Sequence, residues 1–501
     1  MKIYFLFFCF FIWQSIFAQN IYETDTLHND DLKNNSISKS LAATRFEDFY
    51  FNNDSTWLNK FRLRRLQVEM RFSNNRPFGN TDGSLMQVPG FQALFNLQFS
   101  YVKKRFGFIL SPLFLYSKST GTTGNTTWGN SLNFIKGALA SEGTTFFLNL
   151  RKIQLGLSDA RFILGPTFIE HLLLGNNAPG FQHAYIRTSK PILVGIGNLL
   201  FDLSAGKLLP AYDKNPYENV FGLKSYIPPI HRAQYMKRYY NSISLAINPI
   251  IFPNSYFGII RQFQLPLKEM NEESNFVIRY LPIFQNIAKS SLGGSLEDSV
   301  ARDQQLSIFY SLVIPSIRSR FSIEYGWNDH KWNLRDLFVA WPHSAAYIIS
   351  FKRLGNFGRM KSDLVIEYVR MKQHLEQSLR DAGDWYTFHG RSVGPTHRGQ
   401  ILGVGGSNGL GTNKLYLIYR VSNEKVVHGI KYIILKNNHT YQRSRPYIWT
   451  DQVISFSSIL KKKYYMIRSE LVYVHARNYG LVSGNKTSFQ LNFGVVLHNV
   501  R

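Results

Sequence analysis

The sequence predicts an all-β fold: a transmembrane, outer-membrane antiparallel β-barrel of 16–18 strands, with 18 favoured. Apolar and polar residues alternate with a period of two over nearly the whole chain, so each strand meets an apolar medium on one face and a polar one on the other. Aromatics make up 15% of the residues, with 28 Tyr and 40 Phe, at a mean hydropathy of only −0.18. Lipid-facing positions that alternate with polar lumen positions, ringed by aromatic girdles, give that balance. The last alternating segment runs almost to the C-terminus. A closed barrel exposes no edge to lipid, and an exported N-terminus with a periplasmic C-terminal strand end demands an even strand number. With ~440 residues after the N-terminal segment, eighteen strands leave ~24 residues each, enough for a ~10-residue span and its connection.

Export is read from the first residues. Met1-Lys2 is a basic start, Ile3 to Trp13 is an apolar run too short to cross a bilayer, and Ser15-Ile16-Phe17-Ala18 leads to Gln19. Residues 1–18 are therefore expected to be a signal peptide cleaved near Ala18. The one cysteine, Cys9, lies inside the apolar run behind Phe7-Phe8, which does not suit a lipoprotein signal. The mature chain of 501 − 18 = 483 residues then has neither disulfides nor thiolate chemistry. No linker, repeat or second apolar run of the ~20 residues needed for a membrane helix divides it. Residues 19–58 are polar and irregular, with a short helix expected over Ser38–Tyr50 from the spacing of Leu41, Arg45, Phe46 and Phe49. That segment could dock on the periplasmic end of a barrel or form a loosely held tail.

The barrel is placed at residues 59–501. Its first strand carries Phe61 and Leu63 on one face, then Leu66, Val68, Met70 and Phe72; the slip at Arg64-Arg65 reads as a β-bulge. Arg62, Arg64, Glu69 and Arg71 fall on the opposite face, which must be the lumen. Phe95, Leu97, Phe99 and Tyr101 form the next clear face, and Phe106 to Tyr116 continues it after a basic turn at Lys103-Lys104. Leu306 to Ile314 follows. Ile317, Phe321, Ile323, Tyr325 and Trp327 then alternate with Arg318, Arg320, Glu324 and Asn328. Leu415 to Val421, Ile467 to Tyr473 and Phe489 to Leu497 complete the series. Lys152–Pro191 is different. A strand pattern over Ile153–Leu157 breaks at Gly165-Pro166, and Leu172-Leu173-Leu174 leads to Asn176-Asn177-Ala178-Pro179-Gly180 before alternation resumes at Ala184. Pro179 cannot donate to a ladder and Gly180 tolerates positive φ, so this run is expected to be a specialised structural loop.

Lys+Arg exceed Asp+Glu by 58 − 32 = 26. Such a field attracts phosphates, uronic acids or nucleic acid. Export, with no helix-turn-helix, zinc-finger or aromatic RNA-binding pattern, argues against nucleic acid. Two readings stay open: a polyanion-binding role, or basic residues that solvate loops and contact lipopolysaccharide phosphates.

Catalytic signals are weak. Gly405-Gly406-Ser407-Asn408-Gly409 fits G-x-S-x-G, but turn residues rather than a helix follow, so it reads as a glycine-rich loop. His389, His397 and His475 are scattered, and Glu324 and Glu367 have no carboxylate partner at defined spacing. No catalytic residue, metal site or cofactor is assigned. Mixed aromatic and polar loops suit sugars better, with ring faces for C–H surfaces and Arg, Asn or Asp for hydroxyls and carboxylates. Candidate polysaccharide-binding residues are Trp327, Asp329, His330, Trp332, Trp385, Tyr386, His389, Arg391, His397 and Arg398, against the alternative that each Trp or Tyr belongs to an interfacial girdle.

At these loops the sequence resembles the Wzi family of outer-membrane capsule-assembly proteins, in the form common among Bacteroidetes. The resemblance spans about Arg62 to Arg420. It rests on Gly83 to Gly90-Phe91-Gln92-Ala93, on Gly165-Pro166 with Asn176-Asn177-Ala178-Pro179-Gly180-Phe181 and Lys190-Pro191, on Asn328-Asp329-His330 with Trp332-Asn333-Leu334-Arg335-Asp336, and on Thr396-His397-Arg398-Gly399-Gln400 before Leu402-Gly403. It implies an eighteen-stranded barrel plugged by loops and short helices, partly at the periplasmic end, and a lectin-like, non-enzymatic role in holding capsular polysaccharide at the cell surface. Relatives tend to carry a Trp pair just before the Gly-Pro, where this chain has Phe162-Ile163-Leu164. The competing expectation is a porin or carbohydrate-transport channel, from the charged lumen faces at Arg62, Arg64, Arg318 and Arg320. Expected partners are a capsular or other surface polysaccharide, anionic in the polyanion reading, and outer-membrane lipids and lipopolysaccharide, around a monomer.

Overall fold

The strand Arg62–Ser73 (β1) has a neighbour on each side, and one of them is the last strand of the chain. Arg65 lies opposite His498 and Ser73 opposite Gln490, so the sheet closes on itself and leaves no ladder edge for lipid. The computed structural model describes residues 61–74, 78–79, 83–85, 89–119, 138–210, 237–267, 270, 275–284, 303–328, 341–371, 385–386, 395–398, 400–405, 412–437, 448–479 and 483–498. The expected leader, the 19–58 segment with its helix, and Ser407 lie outside them.

Eighteen strands make the barrel. After β1 come β2 (Gly90–Lys103), β3 in two segments (Phe106–Leu110 and Pro112–Ser119), β4 in two segments (Ala138–Ser141 and Thr145–Leu150) and β5 (Ile153–Ser158). Then follow β6 in two segments (His183–Thr188 and Ile192–Val194), β7 (Gly197–Leu208), β8 (Arg238–Pro249), β9 (Ser255–Pro266), β10 (Asp303–Ile314) and β11 (Ser319–Trp327). The circuit ends with β12 (Ala345–Phe357), β13 (Met360–Arg370), β14 (Thr412–Ser422), β15 (Val426–Asn437), β16 (Trp449–Lys461), β17 (Tyr465–Arg477) and β18 (Asn485–His498). Every neighbouring pair is antiparallel, and the count matches the favoured expectation. The register of β1 against β2 slips between Leu63 and Arg65, at the bulge read from Arg64-Arg65.

The alternation sorts side chains as two solvents require. On β1, Met70 and Phe72 are exposed to the outside while Arg65, Glu69 and Arg71 are buried in the lumen; on β18, Phe489 is exposed and Ser488, Gln490 and Asn492 are buried. Arg318 departs from its expected lumen position. It is exposed at the tip of the β10–β11 turn, with φ 49, because Pro315 starts a one-turn 3₁₀ helix there that interrupts the period of two. Connections divide by length. Turns such as 104–105, 151–152, 358–359 and 423–425 lie at one end, and long connections such as 74–89, 209–237 and 371–411 at the other, which makes the short-turn end periplasmic.

Candidate functional site: the lumen plug and the mouth above it

β5 and β6 pair from Ile153 opposite Thr188 to Ser158 opposite His183, and between them residues 159–182 leave the wall and fill the lumen. The departure is built into β4, which bulges over residues 142–144 with Gly143 at φ +99. Asp159 accepts hydrogen bonds from the N–H groups of Gly143 and Thr144, both at 2.7 Å. Glu142, in the same bulge, pairs with Arg161 at 2.7 Å and accepts from the Gly180 N–H at 3.2 Å. One bulge thus holds both ends of the plug.

Inside the barrel the plug folds back on itself, with the Leu164 N–H donating to the Leu174 carbonyl at 2.9 Å. Gly165 turns the chain at φ +131, and any Cβ there would meet a Glu324 carboxylate oxygen at 2.9 Å. The tip points towards the periplasm. Arg320 donates to the Pro166 carbonyl and lies over the Phe168 ring, 4.8 Å from its centroid. Phe162, Leu164, Leu172, Leu173 and Leu174 are buried against inward residues of the wall, among them Tyr240, Ile260, Ile348 and Val369. The lumen therefore contains an apolar core, and the position of the relatives' Trp pair is part of it.

Two wall carboxylates hold the polar backbone of this plug, and a third, on the plug itself, ties it to the wall and to the connection above. Glu367 accepts from the N–H groups of Phe168 (2.9 Å), Ile169 (3.1 Å) and Glu170 (2.7 Å). Glu324 accepts from the Leu172 N–H (3.3 Å) and the Ser307 hydroxyl (2.9 Å). Glu170 pairs with Lys414 at 2.7 Å, accepts from the Tyr416 hydroxyl, and accepts from the Gly405 N–H at 3.0 Å. A loop without ladder partners must satisfy its N–H groups somehow, and buried carboxylates do so with charge-assisted bonds. Glu324 and Glu367 are thus engaged as structural acceptors.

The connection before β14 closes over the plug. Thr396–His397 pairs with Gln400–Ile401 as a small hairpin, the Gly175 N–H donates to Leu402 (2.7 Å), and the Asn177 amide donates to Ile401 (2.9 Å). The Gly83 N–H donates to Asn176 (3.2 Å) while Gln400 donates back to Gly83 (3.0 Å). Three of the motif pieces that carry the family resemblance meet here. The Tyr386 hydroxyl donates to the Leu172 carbonyl (2.6 Å) and accepts from the Val404 N–H (2.8 Å). A Cβ on Gly403 would collide with both that hydroxyl and the Leu172 carbonyl. Gly403→Ala is accordingly expected to destabilise the plug by about 1–3 kcal/mol, seen as a lower thermal midpoint for plug release with barrel migration on gels unchanged.

Several residues expected to touch glycan are buried supports. Trp385 donates its indole N–H to the Ser344 carbonyl (3.1 Å), and Tyr386 is wholly inside. Trp327 donates to the Trp341 carbonyl (3.0 Å) and packs edge-on against that ring at 4.7 Å. His397 accepts from the Leu209 N–H at Nδ1 (3.1 Å); burial, then the nearby Arg398 and Arg238 charges, pushes its pKa down to about 3. His171 is pushed to about 3 by burial and by Arg320. Arg398 is half-buried at φ 49, its N–H donating to Leu209 at 2.9 Å. Asp329, His330, Trp332, His389 and Arg391 lie outside the described residues. Sequence reasoning passed over Glu170, Lys414 and Tyr416, whose one signal was charge in and beside apolar runs. Among the described residues, no cluster of His, Cys, Asp or Glu could hold a metal ion.

No protein-family model and no curated protein matches this sequence. Among solved structures the chain is similar to Wzi of Escherichia coli, an outer-membrane protein involved in group 1 capsule assembly and a carbohydrate-binding β-barrel. The TM-score is 0.59 at 11% identity, over 96% of this chain and 95% of that one. The two share a fold. A BenF-like porin of Pseudomonas fluorescens Pf-5 aligns at a TM-score of 0.45 and 10% identity, over 88% of this chain and 100% of that one. OccAB4 of Acinetobacter baumannii aligns at 0.46 and 9%, over 89% and 99%. The fold shared with Wzi is that of an outer-membrane β-barrel.

Proposed function

We propose that this chain is a non-catalytic outer-membrane barrel that binds exported capsular or exopolysaccharide and helps attach it to the cell surface. The observation that carries the reading is the plug: a lumen with its own apolar core, tied by Glu170, Glu324 and Glu367, suits a binding platform better than a wetted channel. In this reading Trp327, Trp385, Tyr386 and His397 hold the long connections in shape. Glycan contact falls to Asp329, His330, Trp332, His389, Arg391 and Arg398. The basic composition favours an anionic polysaccharide. The leader 1–18 is removed near Ala18, residues 19–58 lie on the periplasmic side, and the 59–501 barrel works as a monomer among outer-membrane lipids and lipopolysaccharide.

Deleting the gene is expected to shift polysaccharide from the cell-attached to the released fraction, while total synthesis stays constant. An unchanged partition would sink the attachment role. Planar-bilayer recordings separate the porin alternative: the wild-type barrel is expected to be silent, and a steady open conductance would favour a transport channel.

A further inference from the structure

Among the described residues, the short turns at the periplasmic end of the barrel are strongly one-signed. Of the eight short turns, six carry an exposed cation at or within the turn: Lys104, Arg151, Arg318, Arg359, Lys425 and Lys462. Glu424 is the exposed acid among those turns. The other two turns, 195–196 and 250–254, are adjacent on the circumference, joined by the Ile250 N–H donating to the Ile196 carbonyl at 3.1 Å. They present Ile196, Ile250, Ile251 and Phe252 instead, each more than half exposed. The cations follow the perimeter of the wall rather than one arc or the axis of the lumen, and they sit where the strands leave the hydrocarbon.

We infer that this ring binds the phosphates of anionic phospholipids in the inner leaflet of the membrane. A soluble acidic partner would meet only part of a ring, and it would not account for large apolar side chains in the gaps. A lipid layer meets the whole perimeter, with headgroup phosphates at the level of the cations and acyl chains below for the isoleucines and Phe252. Basic residues close to an anionic leaflet each add roughly a five-fold gain in affinity at moderate salt. The basic excess is therefore used at least partly away from the lipopolysaccharide side, where the composition alone had left it open.

The test uses the full-length, detergent-solubilised protein, with bound lipid counted by native mass spectrometry during titration. Phosphatidylglycerol is expected to bind at least about ten-fold more tightly than phosphatidylethanolamine, with the preference fading as salt rises. The variant Arg151→Gln/Arg318→Gln/Arg359→Gln/Lys462→Gln should lose that preference, while Lys118→Gln/Lys436→Gln/Lys486→Gln, at the opposite end, should keep it. Heat-modifiable gel migration checks that each variant is folded, and the wild-type comparison of two lipids stands without them. Equal binding of the two lipids overturns the inference. So does full competition by glycerol 3-phosphate, which would indicate a free-phosphate site, or polyglutamate binding that displaces lipid, which would indicate an acidic protein partner.

Discussion

Replacing Glu170 with alanine is expected to unseat the plug and give a silent barrel a fluctuating conductance. The side chains of Glu170 and Lys414 are each only 1% exposed, and their 2.7 Å contact is a buried ion pair between the plug and the wall. Lys414 also donates to the Gly405 carbonyl, and Tyr416 donates to the same Glu170 carboxylate. Alanine removes the counter-charge, strands an ammonium away from water and frees the Gly405 N–H. Losing one partner of a buried pair typically costs about 3–5 kcal/mol. Because the wall is a complete eighteen-stranded ladder, that cost falls on the plug and not on the barrel. Glu170→Met/Lys414→Met should recover most of the loss, since it leaves no orphaned charge. Bilayer recordings of the three proteins check this: a Glu170→Ala barrel as silent and as thermally stable as wild type would refute the role of the pair.

Two buried imidazoles are expected to contribute acid sensitivity to the same plug, beginning just below pH 6.5. His171 in the plug and His397 in the connection that closes over it are both held near pKa 3, by burial and then by neighbouring arginines, against about 6.5 in an unfolded segment. Their folded values are depressed, so below pH 6.5 the released segment takes up protons that the docked one refuses. Their contribution to stability therefore falls as pH falls, and the loss stops growing near pH 3, where both states are protonated. At pH 5 the cost is about 2 kcal/mol for each imidazole. His171→Leu removes one of them together with its contact to the Thr167 backbone. It should roughly halve the acid sensitivity and leave behaviour at pH 7.5 intact. Limited proteolysis of the plug between pH 7.5 and 4.5 reads this out, and identical pH profiles for the wild-type protein and His171→Leu would rule the mechanism out.

The strands were legible because each is decided by two local media. Phe489 meets lipid and Gln490 meets the lumen whatever the distant chain does, and the bulge at Arg64-Arg65 shows as a slip in that alternation. Arg318 was misplaced for an equally local reason, since the period of two cannot be carried through a turn that Pro315 opens. The plug's position was not legible. Glu367 binds N–H groups almost two hundred residues earlier in the chain, and Tyr386 reaches back to Leu172. No spacing in a one-dimensional pattern encodes such pairings.

By itself, then, the sequence determined a closed barrel, its approximate strand number, the lipid and lumen faces, and a non-strand segment from Gly165-Pro166 to Gly180. Only the tertiary structure decided that this segment enters the lumen, that Glu324 and Glu367 serve its backbone, and that Trp385, Tyr386 and His397 face inward. The reason is physical. Strand faces follow from solvent contact residue by residue, whereas a plug is selected by which buried donors find acceptors once the wall has closed around them.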